Sequence, residues 1–193
     1  MANLKSIPDK ELVRTILNYE GFEFQTRLME ILRKTQFKDH QKIKNLHVAL
    51  GEDKEENNDY KRLVDGASKL LKYADDVWII RNFGDVKTAD FVVRYGNMYK
   101  YIDQKTVNSF NSIEQEIKKH ITQSRRFFLN VAVSCDSKDF AGHVKKCFEQ
   151  NDSLSEIIVA QGDKYISIQR KDVFNKNYYQ ILRDTWSKKK RKK

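Results

Sequence analysis

The stretch from residue 88 to residue 105, TADFVVRYGNMYKYIDQK, constrains the fold most, because it is patterned as a β-hairpin. Two runs rich in β-branched and aromatic residues flank the dipeptide Gly96-Asn97, which suits a tight two-residue turn. If these two residues form the loop, counting outward along both runs places Asp90 directly opposite Asp103. Directly opposed side chains share one face of a hairpin, with Cβ atoms about 5 Å apart. The register therefore predicts two carboxylates side by side.

The predicted pair of carboxylates needs a partner, since two opposed acids repel each other unless a cation or a shared proton lies between them. Lys105 follows Asp103 by two residues, so strand alternation puts its side chain on the same face. The group suits Mg²⁺ or Mn²⁺, hard cations that prefer carboxylate, carbonyl and water ligands. An acid-x-Lys tripeptide alone means little, because the chain contains six. Only the one ending at Lys105 closes a predicted strand whose partner offers a second carboxylate.

The overall charge predicts a polyanionic partner. The 193 residues carry a formal net charge of +10 at pH 7, and all six residues from 188 to 193 are basic. Lysine and arginine neutralise phosphates without reading bases, so nucleic acid is the first partner to consider. Within this tail, Lys189, Lys190 and Arg191 are predicted to bind phosphates nonspecifically. The alternative is a surplus of lysine that serves solubility.

Several functional classes find no support in the sequence. Cys135 and Cys147 match no metal-ligand spacing, and the four histidines form no HxH or HExxH pattern, which argues against a zinc site. The N-terminus lacks the apolar core of a signal peptide, and no apolar run approaches membrane length. These features predict a soluble protein with a cytoplasmic location and no membrane partner.

The order of patterned segments predicts a mixed α/β fold with an N-terminal helical extension, residues 1–50. An acidic loop at 51–59 marks the predicted boundary to a core at 51–187, which the basic tail at 188–193 follows. In the core, helical patterns are predicted at 60–73, 113–126, 140–150 and 173–184, and strand patterns at 77–81, in the hairpin, and at 127–134, 157–160 and 165–169. Such alternation indicates a mixed central β-sheet flanked by helices.

The core also resembles a known family. A helix, a strand, an Asp at the head of a hairpin and an acid-x-Lys on its second strand resemble the PD-(D/E)xK nuclease superfamily, over about residues 60–134. The following SIEQEIKKHITQSRRFFLNVAVS is similar to a helix–strand unit in nuclease toxin domains of contact-dependent growth inhibition and related polymorphic toxins. Two positions depart from the usual pattern: Ala89 stands where the superfamily often has proline, and Asp103 where it more often has glutamate.

The resemblance implies a restriction-endonuclease-like core and a Mg²⁺- or Mn²⁺-dependent endonuclease. Asp90, Asp103 and Lys105 would be the catalytic residues. Asp90 and Asp103 would hold the metal together with the backbone carbonyl of Gln104, and Lys105 would orient or deprotonate the attacking water. The superfamily often adds an acid from the preceding helix, for which Asp65 fits best by position. Glu56 and Asp59 are substitutes for that ligand.

The substrate and the partners stay open between several classes. Lys118, Lys119, Arg125 and Arg126 are candidates for a nucleic-acid path, with helix-face solvation as the alternative, and Gln115 and Gln123 are candidate phosphate or water contacts. The substrate is DNA or RNA. A toxin domain would be delivered into a target cell and would have a cognate immunity protein, whereas a restriction or repair nuclease would not. The rival classes are a non-catalytic nucleic-acid-binding protein on a degenerate nuclease fold and a protein-interaction module.

Overall fold

The computed structural model of the protein describes residues 9–52, 58–133, 136–162 and 164–187. The helices in these ranges are α1 (Asp9–Thr15), α2 (Gly21–Lys34), α3 (Asn58–Leu70), α4 (Ile113–His120), α5 (Ser137–Gln150), α6 (Arg170–Val173) and α7 (Tyr178–Ser187). The strands are β1 (Phe37–Asp39), β2 (Leu46–Ala49), β3 (Asp76–Ile79), β4 (Phe91–Tyr95), β5 (Met98–Val107), β6 (Arg126–Val131), β7 (Glu156–Gln161) and β8 (Lys164–Gln169). The chain divides into two compact units, Met1–Tyr101 and Ile102–Lys193.

The first unit combines three helices with a mixed sheet. Strand β2 pairs antiparallel with β1 and parallel with β3, and β3 pairs antiparallel with β4. Helix α2 forms because Phe24, Leu28 and Ile31 recur at helical spacing, and all three are buried in the core of this unit. The other side of α2 carries polar residues, where Glu30 accepts a hydrogen bond from Arg27 and forms an ion pair with Lys34.

The predicted two-residue turn is present in the first unit. Strand β4 ends at Tyr95 and β5 begins at Met98, which leaves only Gly96 and Asn97 between them. Gly96 has φ +57°, and glycine is the residue that a type II′ turn requires at its first central position. The Gly96 N–H also donates to the Asp75 carboxylate over 2.6 Å, which fixes the turn. The loop length on which the register count depends is therefore confirmed.

The second unit is built on parallel strands. From Asp103 onward β5 pairs parallel with β6, and β6 pairs parallel with β7, while β8 returns antiparallel to β7. Parallel neighbours need a crossover, which α4 supplies between β5 and β6, and α5 between β6 and β7. Helix α5 starts at its capping residue Asp136, whose carboxylate accepts from the backbone N–H of Lys138. The core of this unit lies between one face of the strands and helices α4, α5 and α7.

The predicted mixed α/β class is confirmed, and three segments differ from the prediction. Besides its helices, the N-terminal third forms the short strands β1 and β2, too brief to show a clear alternation. Helix α4 ends at His120 rather than at residue 126, because Ser124 bonds the backbone of Arg126 and so ends the turn before β6. The C-terminal helix is split into α6 and α7.

Two predicted features lie outside the described residues. These are the centre of the acidic loop, which contains Glu56, and the basic tail, which contains Lys189, Lys190 and Arg191. Across the ranges that the structure describes, no helix has both the length and the apolar character needed to cross a bilayer.

Candidate active site

The second unit brings Asp103 and Lys105 together on one face of β5. Asp103 lies beside Phe127 of β6, and Lys105 lies beside Leu129, both of which face the core of this unit. The Asp103 residue is 2% exposed. The Lys105 Nζ lies 2.7 Å from the Asp103 Oδ2, and the lysine side chain is 16% exposed. Because alternate residues of a strand share a face, Asp103 and Lys105 form a nearly buried ion pair.

A pair of this kind is hard to explain by stability alone. Removing two charges from water carries a penalty of several kcal/mol for each ion, which their mutual attraction only partly offsets. Replacing a buried ion pair by apolar residues of similar volume often leaves the free energy of unfolding unchanged or raises it. The neighbours Phe127 and Leu129 show that this face accepts apolar side chains. Ionisable groups retained in such a place are candidates for function.

His120, which no sequence pattern selects, is linked to Lys105 by charge. It is the last residue of α4 and is partly buried, and its Nδ1 lies 2.7 Å from the Gln123 Oε1. Burial lowers the pKa of the imidazole, and the positive charge of Lys105 lowers it further, against the opposing hydrogen bond of Gln123. The charge of Lys105 therefore acts on His120. Lys105 lies on β5 and His120 ends α4, so no local sequence motif contains both residues.

Gln104 lies between the two charged residues on β5, with its side chain directed to the opposite face. It is buried and pairs in register with Phe128 of β6. Its backbone carbonyl is predicted as a metal ligand, and Gln104 directly follows Asp103 on β5. The ligand assignment itself stays a prediction.

Asp90 and Asp65 belong to the first unit. Asp90 is half-buried directly before β4, and its carbonyl oxygen accepts from the Ile80 N–H over 3.1 Å. Asp65 is exposed on α3, where its carboxylate pairs with Lys69 over 2.7 Å. The substitute Asp59 pairs with Arg62 on the same helix over 3.2 Å. The metal-ligand roles of these acids stay predictions from the sequence.

The departure at Ala89 has a structural reason. The backbone N–H of Ala89 donates to the phenolic oxygen of Tyr101 over 3.1 Å, in a buried part of the first unit. A proline has no N–H to donate, so it would leave this buried hydroxyl with one contact fewer. The chain therefore uses a donor directly before Asp90 where the superfamily often has none.

Four of the predicted nucleic-acid-binding residues lie within the described residues, and they separate into two groups. Lys118 and Lys119 are exposed on α4. Arg126 instead lies 3.5 Å from the carboxylate of Glu156, which is 3% exposed, and burial lowers the pKa of the guanidinium. Arg125 is half-buried, and its carbonyl oxygen accepts from Ser155. Only the first group has the exposure that a phosphate contact needs without rearrangement.

The donor set around Asp103 suits a hard cation better than zinc. Within the described ranges there is no group of three or more His, Cys, Asp or Glu side chains that could hold a metal ion. Mg²⁺ does not require such a group, because it keeps several waters and is usually held by one or two carboxylates. The buried carboxylate of Asp103 fits that requirement as one protein ligand.

The chain was compared with protein-family models, with curated proteins and with solved structures, and none of the three comparisons found a match. What the site does is therefore argued from its own residues and from the pattern of the sequence.

Proposed function

We propose that this chain is a metal-dependent nuclease of the PD-(D/E)xK type, which hydrolyses phosphodiester bonds of DNA or RNA. The observation that supports it best is the ion pair of Asp103 with Lys105, nearly buried on one strand at 2.7 Å. The pair combines an oxygen donor for a hard cation with a cation for a phosphoryl oxygen. Hairpin register and strand alternation selected these two residues in the sequence, and the resemblance to the superfamily implied their roles.

Asp103 would hold Mg²⁺ or Mn²⁺, with the Gln104 carbonyl beside it, and Asp90 and Asp65 as ligands predicted from the sequence. When bound, the metal supplies an activated water and neutralises negative charge on the scissile phosphate. The low exposure of Asp103 strengthens any charge interaction made there, because little water screens it.

Lys105 would bind the phosphoryl oxygen and orient the attacking water. Its ammonium is a compact charge with three donors, so it can keep its ion pair with Asp103 and direct donors to substrate. The carboxylate fixes the lysine at the end of its flexible stem. Removal of the carboxylate should therefore disturb both the metal and the lysine.

His120 adds a neutral imidazole to this region. Because burial and Lys105 lower its pKa from 6.5, the ring is uncharged at neutral pH. An uncharged imidazole can accept a proton, and the contact with Gln123 holds one ring nitrogen in place. His120 is thus a candidate proton acceptor that the family motif does not include.

The test is cleavage of plasmid DNA, total RNA and tRNA, each with Mg²⁺, with Mn²⁺ or with EDTA. We expect products with at least one substrate and metal, and none in EDTA. Asp103→Asn and Lys105→Met should abolish cleavage while binding at low salt survives. The matched control is Glu156→Gln, which alters a second buried carboxylate of the same unit that pairs with an arginine.

Two results would count against the proposal. If the folded wild-type protein cleaves none of the substrates with either metal, it is not a nuclease for them. If it binds nucleic acid without cleaving it, the non-catalytic alternative is favoured. If it cleaves and both the Asp103→Asn and Lys105→Met variants cleave as fast as the wild type, these two residues are not catalytic. Circular dichroism of each variant separates loss of activity from loss of fold.

A further inference from the structure

A groove in the second unit lies apart from the candidate active-site residues. It has a volume of about 710 Å³ and runs between helices α5 and α7, with Lys138, His143 and Lys146 on one side and Tyr179 and Arg183 on the other. Sites for small ligands usually have volumes of roughly 300–1,000 Å³. The groove is therefore large enough for a nucleotide-sized group.

The two walls of the groove are fixed by buried contacts between the helices. The Tyr178 hydroxyl donates to the Ala141 carbonyl oxygen over 3.2 Å in the interior. The rings of Phe140 and Trp186 stack with their centroids 4.9 Å apart. These contacts belong to the core of the unit, so the groove exists without a ligand and does not need to open.

Three cationic side chains line the groove. Among the charged residues that line it, Lys138, Lys146 and Arg183 are cationic and Asp139 is the acid. Glu114 of α4 lies 2.8 Å from the Nδ1 of His143 and 3.8 Å from the Nζ of Lys146, and thereby holds both side chains toward α4. The Nε of Arg183 also lies 3.4 Å from the carboxylate of Asp184 on α7. A phosphate bound to Lys146 or Arg183 would therefore replace an ion pair, and Lys138 is the third cation of the lining.

An aromatic ring stands among these cations. Tyr179 is 45% exposed although it lines the groove, and its ring meets Tyr178 in an edge arrangement with centroids 5.3 Å apart. The Nζ of Lys145 lies 5.8 Å from the Tyr179 ring centroid, which adds a cation at the margin. Cations that follow a backbone next to an exposed aromatic side chain are the pattern with which proteins bind single-stranded nucleic acid.

We propose that this groove binds a single-stranded segment of DNA or RNA, with one base stacked on Tyr179 and the adjacent phosphates against Lys138, Lys146 and Arg183. An acidic polypeptide would engage the cations but would gain little from the tyrosine ring. The groove shares no residue with the Asp103–Lys105 pair, so binding there does not depend on cleavage. It would hold unpaired substrate strands or loops.

The test is fluorescence anisotropy of a labelled single-stranded oligonucleotide, titrated with the full chain in EDTA at several salt concentrations. Tyr179→Ala should weaken binding by about 5- to 150-fold, the range for one stacked base. Tyr179→Phe should retain the wild-type affinity, because the ring is kept. The double variant Lys146→Ala/Arg183→Ala should make the slope of log affinity against log salt shallower by about 1.4, or about 0.7 for each lost phosphate contact.

The control is Lys171→Ala, which removes an exposed lysine of α6 outside the groove and should leave affinity nearly unchanged. The proposal is overturned if Tyr179→Ala binds as tightly as the wild type, or if Tyr179→Phe loses as much affinity as Tyr179→Ala. It is also overturned if a duplex of the same sequence or polyglutamate binds as tightly as the single strand. Failure to cleave any substrate would sink the proposed function and leave this binding result standing.

Discussion

Among the described residues of the second unit, two carboxylates are nearly buried, and they make different contacts. Asp103 on β5 and Glu156 on β7 are 2% and 3% exposed, and each pairs with a cation that reaches further toward solvent. Glu156 meets Arg126 across neighbouring strands, and the Ser167 hydroxyl donates to it over 2.6 Å. Asp103 meets Lys105 along a single strand, and the charge of that lysine acts on His120.

The difference separates a pair that joins strands from a pair that serves a site. Glu156, Arg126 and Ser167 come from three adjacent strands, so their contacts tie β6, β7 and β8 together. The contact of Asp103 with Lys105 ties no strands together, because both residues already lie on β5. Its lysine also lowers the pKa of the His120 imidazole, after the larger effect of burial. Five measurements test this distinction.

The largest expected effect is on cleavage. Lys105→Met should reduce the rate by about 10²-fold or more, the magnitude typical of losing a positioned proton-transfer or charge-stabilising group. Asp103→Asn should be at least as severe, since it alters the metal ligand as well. Glu156→Gln should remain within a few-fold of wild type. Initial rates with saturating Mg²⁺ measure all three, and equal losses at Asp103 and Glu156 would contradict the distinction.

The next effect is on stability, where the two pairs should behave alike. Asp103→Ala and Glu156→Ala each leave a cation without its carboxylate in a poorly solvated place, which should lower the free energy of unfolding by about 3–5 kcal/mol. Urea unfolding followed through Trp186 reports the second unit, provided that the other tryptophan is removed as Trp78→Phe. A loss at Glu156 alone would mean that Asp103 is solvated more than its burial indicates.

Replacing each whole pair sharpens the contrast. Asp103→Leu/Lys105→Met removes both charges at once, so the unfolding free energy should be unchanged or should rise by about 1–4 kcal/mol, while cleavage is lost. Glu156→Leu/Arg126→Met should keep cleavage but gain less stability, because the Ser167 hydroxyl loses its acceptor. A strongly destabilised Asp103→Leu/Lys105→Met protein would show that the first pair is structural.

Much of the fold followed from sequence because its signals are local. The turn at Gly96-Asn97, the helix α2 and the strands β7 and β8 each depend on spacing or turn chemistry within about a dozen residues, and all agree with the structure. The strands β1 and β2 have three and four residues, which is too short for alternation to stand out. The break between α6 and α7 contains a local turn, in which the side-chain oxygen of Asn175 accepts from the Asn177 N–H over 2.9 Å. The helical spacing of the apolar residues does not show this turn.

The part of the candidate site that lies on one strand, β5, could be predicted from the sequence. Alternation along β5 sufficed to put Asp103 and Lys105 on one face, as the structure has them. His120 was missed because the effect of Lys105 on its pKa acts between different elements, β5 and α4, which no local spacing shows. Arg126 was assigned to nucleic acid from its charge, since nothing in the sequence indicates that Glu156, 30 residues later, becomes its neighbour in register.

A smaller effect tests whether Lys105 acts on His120. The positive charge of Lys105 lowers the pKa of the imidazole, after the larger effect of burial, and Lys119 contributes in the same direction to a lesser degree. Lys105→Met should therefore raise the His120 pKa, and Lys119→Met should raise it less. Lys118→Met is the matched control and should leave it unchanged. NMR titration of the His120 ring protons measures the pKa in each variant. An equal rise of the pKa in all three variants would contradict a specific effect of Lys105.

The smallest effect is the pH dependence of stability that His120 confers. Its pKa in the folded protein lies below the ordinary value of 6.5, so the unfolded chain binds more protons in the interval between the two values. Stability from this residue is therefore complete above about pH 6.5 and declines as the pH falls through the folded pKa. His120→Gln should remove this decline, and Lys105→Met should make it shallower, when unfolding free energies are measured between pH 5 and pH 8. Glu156→Gln should leave the His120 contribution intact, since burial, Gln123, Lys105, Glu116 and Lys119 account for the shift. A pH profile changed equally by Glu156→Gln and Lys105→Met would mean that the two buried pairs share one electrostatic environment.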